Sequence, residues 1–353
     1  MRIAMVAPLY ESVPPNGYGG TERVVASLTD ELVRRGHEVT LFASGDSRTS
    51  AHLVSICPAA LRLGRRLDDP IAYHILQLGT VYQRAGEFDL IHSHCDFRAF
   101  PFAGLTATPT VSTNHNRLDS PENRAMLRAY PDAAVTALSD SHRRQLVGGR
   151  CVGVAYNGIP VADFPFHRSA GRYLAFVGRL SPEKGPLDAI SAAERSGIPL
   201  KIAAKINEWE QSYFDTVLRS HLRPPRIEYV GELDEKRKRD LIGGALAVLC
   251  PLRWPEPFGL VMIEALAVGT PVLAYPSGAA PELVDDGVTG FLCADVDSLV
   301  DRVTRVPAID RRACRESAER RFSVGAMADA YERAYQAVLA SSGRPSPLRQ
   351  AAS

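Results

Sequence analysis

The stretch Glu256-Pro257-Phe258-Gly259-Leu260-Val261-Met262-Ile263-Glu264 sets two carboxylates eight positions apart across the start of a helix. Upstream, Trp254-Pro255-Glu256-Pro257 cannot be helical, because each proline lacks a backbone donor and restricts the residue before it. Gly259 to Val268 then reads as a good helix. Glu256 therefore belongs to the loop leading in, and Glu264 lies about one and a half turns inside. The unpaired N–H groups of the first turn point back at that loop and, with the helix dipole, favour an anion. Two hydroxyl-accepting carboxylates flanking an anion-binding helix end are what a nucleotide-sugar site needs.

On either side, short apolar runs alternate with amphipathic helical stretches, which argues for a parallel α/β architecture. Ile3–Ala7 reads as a buried strand, followed by a helix over Thr21–Arg35 with Val24, Val25, Leu28, Leu32 and Val33 on one stripe. Gly36 closes that helix, and Glu38–Ala43 completes a βαβ unit. Further strands are expected at Leu90–Ser93, Thr110–Thr113, Ala134–Leu138 and Val152–Tyr156. Asn157-Gly158-Ile159-Pro160 is a turn signal, and Phe164–Arg172 reads as a linker. A second series follows, with strands near Tyr173–Val177, Leu200–Ala204, Ile227–Val230, Leu246–Cys250 and Pro271–Tyr275. The expectation is two doubly wound Rossmann-like domains, 1–160 and 161–324, facing across a deep cleft. A helix over 325–340 is expected to cross back to the first domain, and 341–353, rich in Ser, Pro and Arg, reads as a disordered tail.

Bulk composition sets limits. The 353 residues suit two ordinary domains, and 45% apolar with 23% charged residues is typical of a globular protein. A net charge of +1 gives no case for nucleic acid as a partner. The six cysteines are scattered without C-x-x-C spacing and read as reduced thiols. No apolar run approaches a spanning helix or a signal-peptide core, so a soluble, cytoplasmic protein is expected. Among only five lysines, Lys184 lies inside a motif, Gly178-Arg179-Leu180-Ser181-Pro182-Glu183-Lys184-Gly185.

That motif and the opening stretch, with its continuation through Gly269-Thr270-Pro271 and Gly278-Ala279-Ala280-Pro281-Glu282 to Gly290-Phe291-Leu292, resemble the retaining glycosyltransferases of the GT4 family. The resemblance covers nearly the whole chain to Leu339, densest over Gly178–Leu292, and implies the GT-B fold. It implies a donor site in which Arg179 and Lys184 contact the pyrophosphate. Two cations there would stabilise the leaving diphosphate selectively. It assigns Glu264 to the ribose diol and Glu256 to the transferred sugar. Backbone N–H groups of Phe258, Gly259 and Leu260 would meet phosphate and sugar, and backbone near Gly231 the base. In the first half it assigns Gly19 and Gly20 to close ligand approach and His115 to the donor sugar. The residues alone leave alternatives: a solvated loop for Arg179 and Lys184, a helix-surface ion pair with an arginine for Glu264, a tight turn for the glycines, and a structural histidine for His115.

Three other patterns carry less. Asn16-Gly17-Tyr18-Gly19-Gly20-Thr21-Glu22 fails the dinucleotide fingerprint, since Glu22 stands where the third glycine belongs. His92, His94 and Asp96 alternate as metal ligands on a strand would, yet such His-rich strand ends recur in the resembled family without metal, and no metal or cofactor is expected. Asp295-Val296-Asp297 reads as a helix cap rather than a metal-binding D-x-D. The segment Ala59–Ala85, with Arg62, Arg65 and Arg66, reads as an ordinary helix–loop–helix with a solvated arginine face, and peripheral membrane contact is not indicated. The resemblance thus implies metal-independent, front-face sugar transfer from a UDP- or GDP-sugar to a sugar, lipid-linked or small-molecule acceptor. Domain closure would exclude water. The rivals are a GT-B phosphorylase or epimerase, separated by the nucleotide or sugar phosphate released, and a catalytically silent nucleotide-sugar-binding protein.

Overall fold

Ile3, Ala4, Met5 and Val6 are completely buried, and a run with no polar face must be covered on both sides, which parallel sheets provide. In the computed structural model, β1 (Arg2–Val6) accordingly pairs in parallel with β2 (Glu38–Ala43) and with β4 (Leu90–Ser93). The structure describes residues 1–17, 19–62 and 70–342. The chain forms two units, Met1–Gly158 together with the helix from Val324, and Ile159–Ser323.

The first unit adds β3 (His52–Ser55), β5 (Thr110–Thr113), β6 (Ala134–Ala137) and β7 (Arg150–Val154). Its strand order is β3-β2-β1-β4-β5-β6-β7, parallel throughout. The second holds β8 (Leu174–Val177), β9 (Leu200–Ala203), β10 (Ile227–Gly231), β11 (Ala247–Cys250), β12 (Val272–Ala274) and β13 (Gly290–Leu292), in the parallel order β10-β9-β8-β11-β12-β13. Both are doubly wound, as the GT-B fold requires. Strand order reverses between β1 and β4 in one sheet and between β8 and β11 in the other. The loops leaving the carboxyl ends of those strands diverge there and open a crevice, the usual ligand position.

The amphipathic helix Gly20–Arg34 buries Val24, Val25, Leu28 and Leu32. The last helix, Val324–Ser341, lies on the first unit with Tyr331 and Tyr335 fully buried. Arg35 and His37 fasten it through Glu332, at 2.7 and 2.8 Å.

Several expectations need correction. Strands β3 and β13 went unread: β3 is short and half-exposed, and β13 has three residues among turn formers. Ala59–Arg62 forms no helix, because the Leu61 and Arg62 amides donate to Leu9 and Tyr10 carbonyls. Leu63–Asp69, including Arg65 and Arg66, and Tyr18 lie outside the described residues. The helix Pro70–Gln83 carries no arginine and instead exposes Ile71, Ile75 and Leu76. Ser341 belongs to the final helix, where its hydroxyl accepts from Arg150 at 2.7 Å; the tail from residue 343 lies outside the described residues. Among the described residues no helix is long and apolar enough to cross a membrane.

Candidate functional site

In the second unit the candidate residues gather in loops at the carboxyl ends of β8, β10, β11 and β12, around the β8/β11 reversal. Gly259 takes a left-handed conformation (φ 105°) that lets the chain turn from the proline loop into the helix Leu260–Ala267. Met262 to Ala267 are all buried, Glu264 included at 4% exposure. Phe258 is buried edge-on against Phe322, which anchors the loop.

A carboxylate inside an apolar helix needs a cation. Glu264 has Lys238 Nζ at 2.7 Å, which also holds Glu235 at 2.8 Å. Sequence reasoning gave Lys238 no role; an acidic residue inside a wholly apolar helix was the signal that some cation must come to it.

Lys184 donates to Glu256, and its ammonium stands 4.9 Å from the centre of the Trp254 ring. Its position is forced by Gly185, whose φ is 71° and whose added Cβ would overlap the Pro251 carbonyl oxygen. Arg179 donates to Glu210 at 3.0 Å and to Glu183 at 3.1 Å. Glu210, almost fully buried, went unread in the sequence. The loops are also tied together: the Arg253 amide donates to the Glu183 carbonyl at 2.8 Å, and the Arg253 side chain grips buried Asp188 through two bonds of 2.7 and 2.9 Å. Tyr275 donates to the same carboxylate at 2.9 Å.

Gly278 explains part of the motif quoted above. Its φ is 59°, an added Cβ would overlap Glu256's backbone, and the Ala279 amide donates to the Glu256 carbonyl at 3.0 Å. The loop after β12 therefore fixes Glu256. Gly231 ends β10 at φ 80° with its carbonyl accepting from the Ala204 amide. Arg179, Lys184, Glu256, Phe258 and Gly259 thus lie in the loops around one strand reversal, Leu260 and Glu264 lie in the helix that one of those loops enters, and Gly231 ends a strand of the same sheet.

In the first unit, Gly19 (φ 155°) and Gly20 form the turn from β1 into its helix, where a Cβ on Gly19 would press the Pro15 ring at 2.8 Å. Glu22 is buried behind them, and burial pushes its carboxyl up to about 7. His115 follows β5, with its backbone amide held by Asp96 at 3.1 Å and Nε2 2.8 Å from His94 Nδ1. His92 lies between Tyr335 (2.7 Å) and Thr113 (2.8 Å). Burial, reinforced by neighbouring rings, lowers His92 and His115 to about 3 and His94 well below its ordinary value. These rings are neutral hydrogen-bonding groups. Asp96 turns away at φ 53° to bond His115 and Asn116, so the three residues do not converge. Among the described residues no three His, Cys, Asp or Glu side chains are grouped to hold a metal. Asp295 caps the helix Val296–Val303, accepting from the Ser298 amide at 2.8 Å.

The family profile described as Glycosyl transferases group 1 matches residues 164–321, and that described as Glycosyltransferase Family 4 matches residues 18–163. The chain is 30% identical to a glycogen synthase of Mycobacterium tuberculosis over 408 aligned positions, covering 98% of this chain and 97% of that one. Among solved structures it is similar to AviGT4, a glycosyltransferase involved in avilamycin A biosynthesis (TM-score 0.70, 25% identity, covering 96% of this chain and 98% of that one). It also shares its fold with HepE of Anabaena, solved in complex with UDP-glucose (TM-score 0.71, 21% identity, 97% and 100% covered).

Proposed function

This chain belongs to the group 1, family 4 glycosyltransferases, and from that membership we propose that it moves a sugar from a UDP- or GDP-sugar to a hydroxyl acceptor with retention at the anomeric carbon. The observation that carries the reading is the grouping of Arg179, Lys184, Glu256 and Glu264 around the β8/β11 reversal, beside the N-terminus of the helix Leu260–Ala267, which no side chain caps. Arg179 and Lys184 receive the diphosphate, and their charge offsets the charge that grows on the leaving oxygen without calling on a metal. When Lys184 turns to phosphate it releases Glu256, which then accepts from a hydroxyl of the transferred sugar. Glu264 accepts from the ribose diol. On the first unit we assign His115 to a sugar hydroxyl, and Gly19 and Gly20 to close backbone approach. The acceptor hydroxyl attacks on the leaving-group side. The new glycosidic bond forms as the bond to phosphate breaks, and the departing phosphate oxygen takes the hydroxyl proton.

HepE's complex makes UDP-glucose the first donor to try. Thermal stabilisation is measured against UDP-, GDP-, ADP- and dTDP-sugars and the free diphosphates. At least one nucleotide is expected to raise the melting temperature by several degrees, because ligand at 100 times Kd contributes about 2.7 kcal/mol. Lys184→Ala is expected to lower turnover of that donor about 100-fold while moving the melting temperature little. No stabilisation by any nucleotide, or a parallel loss of fold and turnover in Lys184→Ala, overturns the reading.

A further inference from the structure

We propose that His94 is a positioning residue: its Nδ1–H donates to His115 Nε2 and so fixes His115 as the tautomer that offers Nδ1–H to a ligand oxygen. The proposal rests on the assignment of His115 to a sugar hydroxyl.

The argument starts from which ring atoms have partners. His94 is buried, and its Nδ1 lies 2.8 Å from His115 Nε2 while its own Nε2 has no partner among the described residues. Both rings are neutral, because burial holds each far below its ordinary range. A neutral imidazole carries one N–H and one bare nitrogen, so one ring must donate and the other accept. If His115 donated, the His94 proton would sit on Nε2, a buried N–H with nothing to bond. If His94 donates, the atom without a partner is a bare lone pair. Orphaned buried N–H groups are the rarer and costlier defect. The second arrangement wins.

It leaves the His115 proton on Nδ1, for which no protein partner is found among the described residues, at a residue that is partly exposed as a whole. The remaining contacts hold both rings in place. The Asp96 carboxylate accepts from the His115 backbone amide at 3.1 Å. The His94 ring packs tilted against the His92 ring, with centres 4.1 Å apart, and edge-on to Tyr331 at 6.3 Å. The neighbouring relay has its own direction: Thr113 donates to Tyr331 at 3.3 Å, so His92 Nε2 donates to Thr113 and His92 Nδ1 accepts from Tyr335. The final helix thereby clamps the ring against which His94 packs. Which nitrogen of a histidine is protonated is set by the bond the other one makes, and His115 presents a fixed donor.

The test has a spectroscopic arm that needs no substrate. In protein labelled with 15N-histidine, the His115 signals are identified by their loss in His115→Ala. The expected result is a protonated Nδ1 and a bare Nε2 in the wild type near pH 7; a protonated Nε2 overturns the proposal. The kinetic arm follows UDP-glucose hydrolysis. His94→Asn can place an amide N–H where Nδ1 stood and is expected to keep turnover within about fivefold of wild type. His94→Leu removes the bond, lets His115 sample both tautomers, and is expected to lower kcat about 10- to 100-fold with KM for UDP-glucose changed less. Equal losses in the two variants, or none in His94→Leu, overturn the proposal. If the wild type neither binds nor hydrolyses UDP-glucose, that donor reading fails while the spectroscopic arm still decides the tautomer.

Discussion

Replacing Gly278 by Ala tests whether the loop after β12 positions Glu256. The added Cβ would overlap Glu256's backbone nitrogen and oxygen and lie 2.8 Å from the Pro255 carbonyl carbon, where ordinary contact begins at 3.4 Å. These neighbours are backbone atoms and cannot rotate aside. Relief needs about 0.6 Å at Pro255 and more at Glu256, close to about 1 Å for the loop as a whole. A misplacement of that size near reacting groups costs about 100-fold in rate, which is the expected fall in kcat/KM for the nucleotide sugar that stabilises the wild type. The left-handed φ of 59° adds about 1–2 kcal/mol of strain, a penalty that does not depend on Glu256. Gly287→Ala isolates that second effect, because Gly287 has φ 77° and nothing within 4 Å of an added Cβ. Both variants should melt a few degrees low, and only Gly278→Ala should lose turnover. If Gly278→Ala keeps wild-type kcat/KM, or Gly287→Ala loses as much, Glu256 does not act from the place the structure gives it.

Two further outcomes follow from the buried charges. Lys238→Met strips the ammonium from Glu264, and orphaning one member of a buried pair costs about 3–5 kcal/mol. Lys238→Met/Glu264→Met should recover most of that loss in urea unfolding while UDP binding stays weak; a single variant as stable as wild type would show the pair contributes nothing. Glu22→Gln probes the raised carboxyl, which burial drives up, Glu11 pushes further and Arg62 opposes. A carboxyl at about 7 folded and 4.5 unfolded binds more protons when folded, so its stability is intact below about pH 4.5 and lost as pH rises through 7. Glu22→Gln should therefore match wild type near pH 4.5 and exceed it by about 2–3 kcal/mol at pH 8. A pH-independent difference would refute the titration.

The alternation of apolar runs and amphipathic helices made the doubly wound halves legible, because a strand buried on both faces has to be apolar along its length. Two strands escaped for the converse reason: β3 is an edge with half its residues wet, and β13 is three residues long. The charged candidate residues stood out as a motif, but their partners did not. Glu264 was weighed against an arginine on its own surface and instead meets a lysine from the neighbouring helix Glu235–Gly243. Arg179 reaches Glu210, 31 positions away. Such partners are set by how the loops pack, and local spacing carries no record of that. His92 and His94 do share a strand face as alternation requires, with rings 4.1 Å apart. Asp96 leaves that face because the backbone turns left-handed there (φ 53°), which periodicity cannot foresee.

The same partners change how binding must be understood. Arg179, Lys184 and Lys238 each already hold a carboxylate in this structure. In the proposed donor site, a diphosphate arriving at Lys184 would replace Glu256 rather than meet a bare cation, and the net electrostatic gain would be a difference between two ion pairs. That difference is small unless the displaced carboxylate finds a new donor. A nucleotide sugar supplies one, since its sugar hydroxyls can donate to Glu256 as its phosphate takes Lys184. Inorganic pyrophosphate carries no sugar hydroxyl to do so, and would leave Glu256 to water alone. The pairing thus favours ligands that carry phosphate and hydroxyls together, so that discrimination arises from the exchange itself.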